Sequence, residues 1–284
     1  MQQRRLADTL VGAIGLGAMP LSIEGRPDEA QAVATVHAAL DAGVTLVDTA
    51  DAYCRGADDV GHNERLVARA LASWGGDRDA VLVATKGGHT RPPDGSWALD
   101  GSPEHLRAAC EASLRALAVE AIGLYQLHRP DPQVPYAESL GALEELRAEG
   151  KVVRVGISNA DVDQIELAMR TTQLASVQNE LSPRFRTSRP ELDLCARHGI
   201  AFLPWSPLGG IAKAAALGEE HGAFADVARE RGVSPQHVCL AWHLAQADVV
   251  VPIPGSSRPA SITDSCGAAD LLLTDEKLAR LDEG

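Results

Sequence analysis

Four residues able to move a proton or polarise a carbonyl stand just beyond apolar, β-rich runs of this chain. Asp48 follows "VTLV" (44–47), and Tyr53 lies in the loop after it. Lys86 follows "VLVAT" (81–85), and His128 follows "IGLYQL" (122–127). The offset from Asp48 to Tyr53 fits neither a strand's period nor one face of a helix. Together the four have a coherent chemistry. A free tyrosine has a pKa of about 10, too high for efficient proton exchange near neutrality. A neighbouring ammonium, Lys86, favours phenolate and lowers that value. Asp48 pairs with Lys86 and keeps it protonated. His128 orients a substrate carbonyl, and Tyr53 gives that oxygen a proton as the carbon receives hydride. No metal is required.

Taken singly, each residue has a plainer reading. Asp after a strand commonly caps a turn. Tyrosine is commonly a packed ring with a bonded hydroxyl, and lysine a snorkelling surface charge. The argument for chemistry therefore depends on the elements that would gather them. Eight β-rich runs alternate with helical patterns: 11–16, 44–47, 81–85, 122–127, 152–157, 175–179, 200–204 and 249–253. Several are continuously apolar, as in strands covered on both faces. Helix starts are marked by Ser102-Pro103 and Ser234-Pro235, and "SRPE" (188–191) has capping-box spacing. This order predicts the α/β class, as a single-domain (β/α)8 TIM barrel over residues 1–284. In that fold, active sites collect at the C-terminal strand ends, where these four residues fall. A doubly wound sheet would usually announce its cofactor by G-x-G-x-x-G opening a helix. "GAIGLGAMP" (12–20) fails that test, with Pro20 at the third glycine position and no helix pattern there.

The 284 residues carry a net charge of −13, which argues against nucleic acid and anionic membranes as partners. Five cysteines, none in C-x-x-C spacing, read as reduced thiols. The N-terminus is a poor signal peptide and no run is long enough to span a membrane. A cytoplasmic monomer acting on a small molecule is the expectation.

The motifs "VDTADAY" (47–53), "TKGG" (85–88), "LYQLHRPD" (124–131), "VGISN" (155–159), "QNELSP" (178–183), "PWSPLGG" (204–210) and "IPGSSRP" (253–259) resemble, in order, those of the aldo-keto reductase family. "GHNERLVARAL" (61–71) resembles its second helix. The likeness covers nearly the whole chain. It implies reduction of an aldehyde or ketone by NADPH, with NADH as the alternative, and a catalytic tetrad of Asp48, Tyr53, Lys86 and His128. It places Ser158, Asn159 and Gln178 on the nicotinamide carboxamide and Trp205 on the nicotinamide ring. Ser206, Pro207 and Leu208 follow towards the pyrophosphate. Gly255, Ser256 and Arg258 meet the 2′-phosphate, and Asp264 lies near the adenine. Ser265 departs from the asparagine usual beside it. Gly17 and Met19, at the first strand end, also fall on the cofactor side. Met19, Trp97 and Arg129 are expected to line the substrate mouth.

Two other functions compete. Lys86 could be the Schiff-base nucleophile of an aldolase, or the chain could be a non-catalytic nicotinamide-nucleotide-binding regulatory subunit. Cys239 and His243 share a helix face without an evident third ligand, so packing is expected there and not a metal.

Overall fold

A computed structural model describes residues 1–283 of the chain. Its strands are β1 (Gln3–Leu6), β2 (Thr9–Gly12), β3 (Leu16–Gly17), β4 (Leu46–Asp48), β5 (Leu82–Gly87), β6 (His89–Thr90), β7 (Ala98–Leu99), β8 (Leu124–Leu127), β9 (Val155–Ser158), β10 (Leu174–Gln178) and β11 (Ala201–Phe202). Seven are parallel, in the spatial order β3, β4, β5, β8, β9, β10, β11. The sheet curls until its two edges meet a common closing segment, residues 249–255. Phe202 N donates to Val249 O at 2.9 Å, and Gly17 N donates to Pro254 O at 3.0 Å on the other side. The result is the expected (β/α)8 barrel.

The closing segment differs from the strand expected at 249–253, and proline is the reason. Val251 and Ile253 donate to the β11 side, whereas positions 252 and 254 face β3. Both are proline, which accepts from Gly15 and Gly17 but has no N–H to return. Only single bridges form, at Phe202–Val250 and Gly17–Gly255. The first expected strand (11–16) also divides. Residues 9–12 pair antiparallel with β1, and only Leu16–Gly17 joins the barrel.

Leu6 and Val11 from the β1–β2 hairpin pack with Leu46, Ala84, Leu124 and Val251 inside the barrel. Burying a leucine such as Leu46 contributes about 2 kcal/mol. Strand side chains alternate between faces. Two residues above Leu46 comes Asp48, two above Ala84 comes Lys86, and above Leu124 come Gln126 and His128. One alternation therefore gives an apolar floor and a polar rim.

The outer layer contains helices α1 (Glu29–Asp41), α2 (His62–Ser73), α3 (Pro103–Leu117), α4 (Tyr136–Ala148), α5 (Val162–Thr171), α6 (Arg189–His198), α7 (Leu217–Glu220), α8 (Gly222–Arg231), α9 (Pro235–Leu244), α10 (Pro259–Gly267) and α11 (Asp275–Glu283). Ser102 and Ser234 cap α3 and α9 as expected, accepting from His105 N and His237 N. Ser188 makes no side-chain cap on α6. The complete capping box is at α5, between Asp161 and Gln164. No described helix is long and apolar enough to cross a membrane.

Candidate active site

Asp48 and Lys86 end neighbouring strands, which brings their side chains together. Lys86 Nζ lies 2.6 Å from Asp48 Oδ2 and donates to Tyr53 OH and Thr49 O, each at 2.9 Å. Its three protons are thus fully used. The second Asp48 oxygen accepts from Gln178 Nε2 at 2.8 Å and from Gln126 Nε2 at 3.4 Å. Lys86 is wholly buried and Asp48 is 2% exposed. The loop after β4 turns back through a Tyr53 N to Ala50 O bond and is pinned by Gly61 N to Asp51 O. Tyr53 reaches Lys86 by this turn, which accounts for the odd spacing from Asp48.

Opposing effects set the charges. Burial disfavours the Lys86 ammonium, yet Asp48 and Tyr53 more than offset that and hold its pKa above the ordinary value. For Tyr53 burial wins. It raises the phenol above its ordinary value, against the pull of Lys86. The direction is opposite to the expected lowering, because spacing cannot reveal how completely the ring is enclosed. His128 is pushed well below the ordinary histidine value, first by burial and then by Lys86, His89 and Arg129. Near neutrality the cluster is therefore a protonated phenol, a fixed ammonium and a neutral imidazole.

A cavity of about 230 Å³ opens beside these groups. Asp48, Tyr53 and His128 line it, and Lys86 lies behind them. The His128 ring is 5.5 Å from Tyr53 and 4.3 Å from His89, edge-on in both cases. His128 Nδ1 is buried without a partner. Gly17, Met19, Trp97, Arg129, Ser158, Asn159, Gln178 and Trp205 also line the cavity. Ser206, Pro207, Leu208 and Gly255 complete the expected residues found in the lining. The sequence reading missed Pro20, Gly210, Ile211, Ala214 and Ile253, which also line the cavity. Apolar loop positions carry no spacing that would single them out.

Asn159 has φ +57, a left-handed conformation that asparagine tolerates better than most side chains. Its amide donates to His128 O and Ser158 Oγ, each at 3.0 Å, and accepts from Arg129 at 3.1 Å. Trp97 is 46% exposed, with its ring 6.5 Å from that of Tyr53. Beneath it the buried Arg91 guanidinium stacks at 4.2 Å while donating to Arg55 O. This support for Trp97 had no signal in the sequence.

Ser256, Arg258 and Asp264 are outside the cavity lining. Arg258 is exposed at the start of α10 and makes no side-chain ion pair among the described residues. Asp264 accepts from Ser234 Oγ at 2.5 Å and lies 3.7 Å from His237 Nδ1, so its carboxylate supports the start of α9. No cluster of three or more metal-ligating side chains occurs among the described residues. Cys239 and His243 both reach the Pro207 carbonyl, at 3.3 and 3.0 Å.

Residues 13–284 match the family model described as the aldo/keto reductase family. The chain belongs to the aldo/keto reductase family. An uncharacterized oxidoreductase of Schizosaccharomyces pombe, C215.11c, is 33% identical over 286 residues, covering 98% of this chain and 88% of that protein. Among solved structures, the glycerol dehydrogenase AKR11B4 of Gluconobacter oxydans superposes with a TM-score of 0.83 at 28% identity. The match covers 99% of this aldo/keto reductase and 94% of that chain. An aldo/keto reductase of Klebsiella pneumoniae, solved with NADP and acetate, gives 0.80 at 27% identity, covering 98% and 93%.

Proposed function

We propose that this protein reduces a small aldehyde or ketone to an alcohol at the expense of NADPH, with Tyr53 as the proton donor. The observation that carries this reading is the hydrogen bond between Lys86 Nζ and Tyr53 OH, within an ammonium already bound by Asp48 and Thr49 O. Tyr53 is protonated at neutral pH, and burial raises its pKa further above the ordinary phenol value. When charge develops on a carbonyl oxygen, Tyr53 releases its proton, and the fixed Lys86 charge stabilises the resulting phenolate. Neutral His128 has one ring N–H with which to orient that oxygen.

The donor set fits a nicotinamide nucleotide. Gln178 Oε1 makes no hydrogen bond among the described residues, and Gln178 and Ser158 both line the cavity, so acceptors are available for a carboxamide N–H. Trp205 adds an aromatic face, with its Nε1 buried and unpaired. Exposed Arg258 suits the 2′-phosphate of NADPH. NADPH, when bound, supplies the hydride. The NADP in the Klebsiella relative supports this choice of cofactor.

The aldolase reading is disfavoured by the same geometry. A Schiff-base lysine must lose a proton and attack, whereas Lys86 has no exposed surface and its pKa is held up. Absorbance of reduced nicotinamide with a panel of small aldehydes tests the proposal. We expect NADPH oxidation that falls by about 10²–10⁴-fold in Tyr53→Phe. Near wild-type turnover in that variant would remove Tyr53 as the donor. No turnover in the parent protein would favour the regulatory-subunit reading.

A further inference from the structure

The third acceptor of Lys86 is a backbone carbonyl, Thr49 O, at 2.9 Å. This carbonyl is held in place from outside its own strand. Thr49 Oγ1 donates to Asn63 Oδ1 at 2.6 Å. Asn63 Nδ2 in turn donates to Ala18 O at 2.8 Å and Ser22 Oγ at 2.7 Å. Thr49, Asn63 and Ser22 are wholly buried, so every one of these bonds is made away from water.

The next residue repeats the arrangement on the other side. Glu64, 1% exposed, accepts from Thr85 Oγ1 at 2.6 Å. Thr49 follows Asp48 and Thr85 precedes Lys86. The first turn of α2 therefore holds the position just after the carboxylate and the position just before the ammonium.

We propose that Asn63 is a positioning residue for the reaction, acting through Thr49. It fixes the Thr49 carbonyl as the third acceptor of Lys86 and so keeps the ammonium aimed at the Tyr53 hydroxyl. The inference rests on the roles proposed for Lys86 and Tyr53. Thr49 N also donates to Ala84 O at 2.8 Å, so without the hydroxyl the peptide keeps its strand bond and loses its side-chain anchor. A small displacement of the carbonyl is enough to weaken a hydrogen bond to a buried ammonium and let Nζ shift. Asn63 does not line the cavity, so its effect falls on turnover and not on binding.

The test compares Thr49→Val, Thr49→Ser and Tyr53→Phe in the NADPH–aldehyde assay. Circular dichroism reports folding, and quenching of protein fluorescence reports NADPH binding. Thr49→Val keeps the side-chain shape and loses the hydroxyl. We expect it to fold, to bind NADPH within about twofold of the parent and to lower kcat about tenfold with little change in KM. Thr49→Ser restores the hydroxyl and recovers most of the turnover. If the valine variant does not fold, Thr49→Ala reads the same loss without added bulk. Parental kcat in a variant lacking the hydroxyl overturns the inference, as does a serine variant as slow as valine. Tyr53→Phe separates the two levels: full activity there removes the proposed proton donor and this inference with it. An inactive Tyr53→Phe beside a fully active Thr49→Val removes the positioning role alone.

Discussion

Lys86 is a charge held wholly inside the protein, and its counter-ion decides whether it can remain one. A buried ion pair gains little over a well-packed apolar pair, but removing one partner typically costs 3–5 kcal/mol. Asp48→Asn leaves Lys86 facing only neutral acceptors. We expect a loss of about 3 kcal/mol in urea unfolding at pH 7, together with a fall in kcat as the ammonium becomes easier to discharge. A loss below 1 kcal/mol would mean that the pair is not compensating buried charge. The four members of this cluster were legible in the sequence because each ends or closely follows a β-rich run. The hydrogen-bond partners around them were less so. Thr49 serves Lys86 through its backbone, which every residue possesses, and Gln126 and Gln178 meet Asp48 only after the barrel has curled. The Tyr53 pKa had the wrong expected sign for a related reason. The neighbouring ammonium could be inferred, but the depth of burial could not.

Among the elements, α9 shows how a helix can hold a loop that lines the cavity. Cys239 and His243, one turn apart, both bond the Pro207 carbonyl, while Pro207 lines the cavity. The pair was visible in the sequence as a helix-face motif. Its target was not, since a loop carbonyl has no pattern. Burial, opposed by the Pro207 bond, takes the His243 pKa from 6.5 down to about 4. The unfolded chain therefore binds this proton first as pH falls. The stability contribution is complete above about pH 6.5 and is lost as pH drops towards 4. By linkage, the loss is about 2 kcal/mol at pH 5. His128, also depressed by burial, adds to it in the same direction. Urea midpoints at pH 7 and pH 5 should fall more in the parent than in His243→Leu, whose side chain cannot titrate. The leucine variant should also bind NADPH less tightly, because Pro207 O has lost a donor. Equal pH dependence in the two proteins would show that His243 does not carry the acid sensitivity.

The whole molecule depends on closing one seam, and eight β-rich runs in the sequence predicted that a barrel would close without showing how. The hairpin β1–β2 lies mostly ahead of the first apolar run and shares only residues 11–12 with it, and the prolines of the last segment thin the bonding across the seam. Gly15 N to Pro252 O and Gly17 N to Pro254 O join that segment to the β3 side. The approach is close because Gly17 has no side chain. A Cβ there would sit 2.8 Å from Ile253 O and 3.5 Å from Gly255 N, both backbone atoms that cannot rotate away. Gly17→Ala must therefore part the strands by a few tenths of an ångström. Overpacking of this kind costs about 1–3 kcal/mol. Gly17 and Gly255 also line the cavity, so the same displacement should weaken NADPH binding. Gly75→Ala is the matched control, since a Cβ there meets nothing within 4 Å. It should stay within about 0.5 kcal/mol of the parent. Urea unfolding of the two variants distinguishes a general intolerance of alanine from strain at the seam. If Gly17→Ala unfolds at the same midpoint as Gly75→Ala, the seam has slack and barrel closure does not depend on the missing side chain at residue 17.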